Sequence, residues 1–490
     1  MRISDLVFYF VLFFLGGILL ASLEVNFLII ISVVGFLALG FFILRLAGIP
    51  PSSFWQRLSI LSLMIIIGVF YYHLDNVIFQ KHNLITFNQK LNFQGLVVDN
   101  PLDKNGFQEA VIELSPPWQG KVSVKLASYP EIAYGDKLNF IGGINQVPSS
   151  TSKYLAKERI AGVSSFPQFS ISGRGYGSAI KSGLFKLNDK IVSIFKKFLP
   201  STEAAFLAGL TFGQRSDFSL DFKKSLNLSG TTHLVALSGY NISIIALTVA
   251  ALFGRIFPRR ISFALTVLVI IGFVLMTGAQ ASVVRAALMA ALALLAKEIG
   301  RPNYDVRNAI VFTGFLMVLV NPKILAFDVG FQLSFLALLG IVYLKPVLIK
   351  IFRLSESPGF LSWRENFLTT TSAQLAVIPI LISNFGLFSL TSLLANVLVL
   401  EFVPLTMFLG FLMAAVNFIS YYLTMIVSWL VLVSLKFEIL VINIFSKLTI
   451  PLAGSKNISL MLFLGYYLFL AAIIFYAQRF YRKNLAEAEK

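Results

Sequence analysis

The sequence predicts a polytopic α-helical membrane protein, about twelve transmembrane helices with a small extracytoplasmic β-barrel inserted near the N-terminus. Three observations predict it. The 490 residues are 57% hydrophobic and 13% charged, with a mean hydropathy of +0.82, whereas a soluble domain carries roughly 25% charged residues. The apolar residues are gathered into runs, many of them near the ~20 residues that cross a bilayer. Between residues 75 and 230 that texture gives way to short alternating segments divided by turn residues.

The first run, Leu6–Leu23, is long enough to span, and a second, Val25–Leu44, follows almost at once. No small-residue cleavage site divides them, so both are read as retained helices rather than a signal peptide. A third run, Leu58–Tyr72, ends at His73. Alternating stretches follow at Leu91–Val98, Ala110–Leu114, Lys121–Ala127 and Lys137–Ile144, with a fifth at Gly162–Ile171. Asn100-Pro101, Pro116-Pro117, Gly135-Asp136 and Gly142-Gly143 mark the turns. Four or five short strands in about 80 residues suit a small barrel, with the OB-fold as leading candidate. Lys181–Leu199 places Leu184, Leu187, Ile191, Ile194 and Phe195 at helical spacing and reads as a basic amphipathic helix, and Ser201–Leu228 reads as helical too. From His233 onward about nine spans are expected, near 233–253, 261–277, 283–297, 306–320, 329–344, 367–384, 388–412, 421–445 and 458–477. The eighth contains Lys436 and Glu438 and is open to a second reading, a shorter helix followed by an interfacial one. The predicted organisation is therefore N-terminal helices over 1–74, an OB-like β-domain over 75–175, amphipathic linker helices over 176–230, a helical membrane domain over 231–478 and a basic tail over 479–490.

The charges orient this arrangement. With the N-terminus in the cytoplasm, the inside loops collect Arg45 and Arg57, then Arg255, Arg259 and Arg260, then Lys297, Arg301 and Arg307, then Lys345, Lys350, Arg353 and Arg364, and the tail adds Arg479, Arg482 and Lys483. The outside loops hold far fewer, Lys323, Lys447 and Lys456. The positive-inside rule then puts both termini in the cytoplasm and residues 75–230 outside it. Those residues still carry 18 Lys and Arg against 12 Asp and Glu. Two readings of that excess stay open: an anionic polymer held by phosphate attraction, or lipid headgroups touched by Lys186, Lys190, Lys196 and Lys197. There are no cysteines, which excludes disulfides, zinc–thiolate sites and a cysteine nucleophile.

The most distinctive segment is Thr231-Thr232-His233-Leu234-Val235-Ala236-Leu237-Ser238-Gly239-Tyr240-Asn241-Ile242. A span that opens on His233 and carries Ser238, Gly239 and Asn241 is unusual, because polar groups in hydrocarbon are costly and turn toward a bundle interior or a wet cavity. Gly239 permits close helix packing or a local break. The stretch resembles the His-Leu-x-Ala-x-Ser-Gly signature of the ComEC-type competence family. Further resemblances follow in order: Ala281-Ser282-Val283-Val284-Arg285-Ala286, Gly300-Arg301-Pro302, Asn321-Pro322, then Phe327-Asp328-Val329-Gly330-Phe331-Gln332-Leu333-Ser334-Phe335, and Ser392-Leu393-Leu394-Ala395-Asn396. Upstream, Ser152-Lys153-Tyr154-Leu155-Ala156 resembles the stretch that closes the family's extracytoplasmic domain. Asn241 stands where many members have His. Longer members continue into a metallo-β-lactamase-like domain, whereas this chain has only His73, His82 and His233, none in a His-x-His spacing. The family's hydrolytic activity is therefore not carried over, and no metal, cofactor or catalytic residue is expected.

The resemblance implies a channel in the bacterial cytoplasmic membrane that passes single-stranded DNA during natural transformation. It also implies a separate DNA receptor, ATPase motor and nuclease; membrane lipids are the remaining partner, and oligomeric state is left open. No Walker A pattern is present, so any ATPase lies on another chain. The candidate path residues are His233, Ser238, Gly239, Asn241, Arg285, Asp328, Gln332 and Asn396. Each has a plainer alternative. His233 lines the path or caps an interfacial helix start. Arg285 contacts phosphate or pairs with Asp328. Asp328 faces the path or acts as an N-cap. Gln332, Gln374 and Asn396 line the path or make interhelical hydrogen bonds, and Glu401 marks the cavity or a packing site. His233 and Ser238 are five apart, a poor facing geometry on a helix, and no acid lies near, which argues against a hydrolase pair. The rival functions are a transporter of another solute, which an internal repeat would favour, and a membrane enzyme of lipid or polysaccharide metabolism, which paired acids or a metal cluster would favour.

Overall fold

The computed structural model describes residues 3–488 apart from 33, 37–52, 105, 150, 236, 238, 299–304, 353–362, 386, 389–390, 449–451 and 454–458. The chain forms two compact units, one of Met1–Lys186 with Phe253–Phe331, the other of Leu187–Leu252 with Gln332–Lys490. Among the described residues, six helices are long and apolar enough to cross a membrane: Leu61–Lys81, Arg259–Met276, Val329–Ile351, Arg364–Asn384, Ser392–Asn417 and Tyr421–Leu448. Shorter apolar helices of 10–17 residues include Leu6–Ser22, Asn241–Ile256, Ala281–Ala296, Val306–Val320 and Met461–Ala477. The chain is thus a membrane protein with a separate sheet domain; residues 33 and 37–44 of the expected second run, Val25–Leu44, lie outside the described residues.

In the first unit, α1 (Ile3–Ser22) packs along α2 (Ser53–Lys81). They cross where Gly17 meets Ile65 and Gly68 meets Phe14; a Cβ at either glycine would strike the other helix's backbone. Small residues at such a crossing let two membrane helices approach closely. The run expected to stop at His73 continues as helix to Lys81. Polar Asp75, Asn76, Gln80 and Lys81 extend a helix beyond the apolar layer without breaking it, since none is a strong helix breaker.

The sheet comprises β1 (Lys90–Val97), β2 (Leu102–Lys104), β3 (Phe107–Leu114), β4 (Lys121–Ala127), β5 (Lys137–Gly143), β6 (Asn145–Gln146), β7 (Ile160–Ser165) and β8 (Gln168–Gly173), with the short helix α3 (Ser152–Lys157) between β6 and β7. Its order is β6-β7-β4-β3-β1-β5-β8, with β2 beside β3. The path has two ends, so the expected barrel is found as an open sheet among the described residues. The fifth expected strand divides into β7 and β8 at Phe166-Pro167, where Phe166 takes φ +51 and the proline cannot donate to a ladder. Alternation sets the faces: Gln108, Ala110, Ile112 and Leu114 of β3 point inward between outward Phe107, Glu109, Val111 and Glu113. Phe93 and Phe140, cross-strand partners, stack at 4.8 Å in that core. Buried Gln108 ties down the loop after β4, accepting from Ile132 N–H at 3.0 Å and donating to the carbonyls of Ala127 and Ser128 at 2.9 Å.

Four more helices complete the first unit: α8 (Arg259–Met276), α9 (Ala281–Glu298), α10 (Val306–Val320) and the short α11 (Ile324–Phe327). The chain enters the second through α4 (Ala179–Phe198), followed by α5 (Ser201–Phe212) and α6 (Leu220–Leu228). The helix expected to be continuous over 201–228 breaks because Gly213 adopts φ +73 as a left-handed cap, closing α5. α7 (Gly239–Ile256), α12 (Val329–Ile351), α13 (Trp363–Phe385), α14 (Ser392–Asn417), α15 (Tyr421–Leu448) and α16 (Leu460–Ala488) complete the helices. The doubtful eighth span is one continuous helix, α15. Glu438 is tolerated there because it is fully buried against α14, where its Oε1 accepts from Thr406 Oγ1 at 2.6 Å, while Lys436 points outward.

Candidate functional site

The motif segment is not a continuous span. A 3-10 turn covers Thr232–Val235, and α7 begins only at Gly239, so His233 precedes the helix instead of opening it. Gly230 initiates the turn with φ +69; a Cβ there would overlap that of Ser392 at the start of α14. The Ser229 and Thr231 hydroxyls lie 2.7 Å apart, and both residues are fully buried. Two further bonds hold the segment against α5 and the break that follows it. Arg215 Nε donates to the Val235 carbonyl at 3.1 Å, and Asn241 Nδ2 donates to the Leu210 carbonyl at 3.1 Å. Leu234, Val235 and Leu237 are buried, while the His233 side chain is exposed. Ser238 lies outside the described residues.

Asn396 belongs to the same neighbourhood. It follows Ser392 by one turn on α14, so the two share a helix face. Gln374 of α13 donates to Ser392 Oγ at 3.1 Å, not to Asn396. The Asn396 amide is fully buried and makes no hydrogen bond among the described residues. A buried amide left so costs about 1–3 kcal/mol. Gln332 is half-buried on the first turn of α12. Glu401 takes the interhelical alternative, accepting from Asn366 Nδ2 at 2.7 Å.

The other two candidates sit in the first unit. Arg285 is buried, 7% exposed, on the first turns of α9. Asp328 is an N-cap, its Oδ1 accepting from Phe331 N–H at 2.8 Å, and it also forms an ion pair. That partner is Lys157 of α3, whose Nζ lies 2.7 Å from Oδ2, with the two side chains 14% and 10% exposed. Burial depresses the Lys157 ammonium, but the hydrogen bond and attraction of Asp328 outweigh it and carry its pKa above the ordinary lysine value.

Lys157 is one post of a larger clamp between the sheet domain and the helices. Asn321 Nδ2 donates to the Lys157 carbonyl at 2.6 Å. Arg159, just beyond α3, bonds both Asp75 of α2 at 2.9 Å and the Val320 carbonyl at 3.0 Å. Lys323 stands 4.0 Å from the Phe79 ring centroid, and burial lowers its pKa. The sequence reading missed Lys157, Arg159, Asp75 and Arg215 as contributors. The available signal for Lys157 and Arg159 was their place just after the segment Ser152–Ala156; Asp75 and Arg215 had none.

Comparison with known proteins bears on this arrangement. The profile of the Competence protein family matches residues 210–480, which hold all eight candidate residues. ComE operon protein 3 of Bacillus subtilis (strain 168) is 28% identical over 223 residues, 45% of this chain and 27% of that protein's own length. No solved structure matches. With the profile covering more than half of the chain, the protein belongs to the competence protein family.

Proposed function

We propose that this protein is a channel that moves single-stranded DNA across the cytoplasmic membrane during natural transformation. The observation that carries the proposal is the family match over 210–480, which includes the polar turn Thr231–Asn241 and the amide of Asn396. A nucleic acid strand carries a charge on every phosphate and needs a polar path through hydrocarbon. Polar residues inside apolar helices, Asn241, Arg285, Gln332 and Asn396, supply the chemistry for one. The chain acts as a channel, working with a DNA receptor, an ATPase motor and a nuclease.

The proposed orientation follows the charge asymmetry, with both termini in the cytoplasm and the sheet domain outside. The sheet is proposed to be OB-like and to collect the strand. Its support is the strand pairing: β5 pairs with β1 and β6 with β7, and only Ile144 separates β5 from β6, so residues 137–146 nearly complete a circuit. Phosphate attraction and base stacking would hold a strand there.

The test is to delete the gene and follow labelled transforming DNA, separating surface-bound from internalised label. Complementation uses wild type, Arg285→Ala and Asn241→Ala at matched membrane levels. Binding that persists while internalisation is lost, in the deletion and in an expressed variant, supports the channel. Unchanged internalisation in the deletion strain, with no second copy of the gene, overturns it.

A further inference from the structure

The second unit places α4 against one end of α14 and the motif turn against the other. At the C-terminal end of α14, Phe198 of α4 packs on Tyr421 at 5.1 Å between centroids. Lys190 Nζ lies 4.6 Å from the Phe418 ring, and Lys197 Nζ 5.2 Å from that of Tyr421. At the N-terminal end, Gly230 touches Ser392. α14 has 26 residues, about 39 Å at 1.5 Å per residue, more than the ~30 Å of a hydrocarbon core. Its two ends therefore reach opposite membrane surfaces. The chain between Phe198 and Gly230 must cross with it.

The intervening residues suit a crossing. Nine of the twelve residues of α5 are buried, and Phe212 packs on Phe411 of α14 at 5.9 Å. Asp217, in the break after α5, is paired with Lys196 at 2.7 Å.

The end reached by α4 has the character of a membrane surface. The turn Phe418–Ser420 between two long apolar helices exposes Ile419 (80%) and Tyr422 (79%) beside it. Such groups are at home among headgroups and upper acyl chains, where aromatic belts and lysines gather. Residues 413–422 contain no Lys or Arg of their own; Lys190 and Lys197 supply the positive charge, each held over one of the turn's rings. We infer that the C-terminal half of α4 and the α14–α15 turn form an interfacial site for anionic lipid headgroups, on the membrane face opposite the motif turn. The excess of basic residues in 75–230 is then in part headgroup-directed charge, not a nucleic acid footprint. This holds whatever the chain transports.

The absence of native cysteine makes the test direct. Single variants Lys197→Cys and Asn227→Cys are labelled with a membrane-impermeant maleimide in spheroplasts and in inverted vesicles. Lys197→Cys and Asn227→Cys should react from opposite sides, one only in inverted vesicles and the other only in spheroplasts; reaction of both from one side overturns the crossing. The full chain is then placed in nanodiscs of phosphatidylcholine with and without phosphatidylglycerol. The anionic lipid should raise the thermal transition of wild type, and Lys190→Gln/Lys197→Gln should lose most of that rise. An undiminished rise overturns the headgroup site. So does a double variant that instead loses binding of a labelled oligonucleotide in phosphatidylcholine discs, which would make nucleic acid the partner.

Discussion

Asp328→Asn isolates the ion pair of the clamp from the helix cap. Asparagine caps as well as aspartate, so the bond to Phe331 N–H survives while the charge opposite Lys157 is lost. Stranding one member of a fully buried pair costs about 3–5 kcal/mol. Here the side chains keep 14% and 10% exposure, and Glu158 Oε1 remains 3.5 Å from Lys157 Nζ as a substitute partner. The expected cost is therefore about 2–3 kcal/mol, and Asp328→Ala adds about 1 kcal/mol for the cap. The assay is amide hydrogen exchange of residues 152–159 in the full chain at neutral pH, which reads local opening. At a factor of ten per 1.4 kcal/mol, Asp328→Asn should speed exchange there about 30- to 150-fold. Lys157→Met/Asp328→Leu should return it to within several-fold of wild type, since a well-packed apolar pair can replace a buried ion pair. The lysine pKa is raised in the folded state, so its contribution is complete below the unfolded value of about 10.5 and is lost only as pH rises above it. Neutral pH lies on that plateau. Unchanged exchange in Asp328→Asn, or a double variant as labile as the sum of its singles, would refute the clamp.

Three further outcomes are expected. Gly230→Ala should destabilise the detergent-solubilised chain by more than about 1 kcal/mol, read as a lower thermal transition, because φ +69 and the approach of Ser392 both exclude a Cβ; a gain in stability would contradict the turn. Glu438→Gln keeps a polar partner for Thr406 and should reach wild-type membrane levels, whereas Glu438→Lys should not, as seen by quantitative blotting. Arg215→Ala removes the bond to the Val235 carbonyl and should lower DNA internalisation, while Arg215→Lys, lacking the Nε–H that donates there, should restore it only in part.

Much of the architecture is local and was legible in the residues. The strands announce themselves by period two, because a half-buried sheet must alternate. The spans announce themselves by length, because a bilayer admits few polar groups. The motif residues were legible as polar exceptions to that rule, and as a resemblance. What tertiary structure decided depends on partners far apart in the chain. Asp328 was the acid the sequence offered to Arg285; its ion-pair partner is Lys157, 171 residues upstream, and periodicity carries no information about such a contact. The break before Gly239 follows from Gly230 meeting Ser392, again between distant segments. α4 reads from its own residues only as basic and amphipathic. Its membrane face is set by Phe198 meeting Tyr421 and Gly230 meeting Ser392, because an amphipathic helix records that it has two faces but not what covers either one.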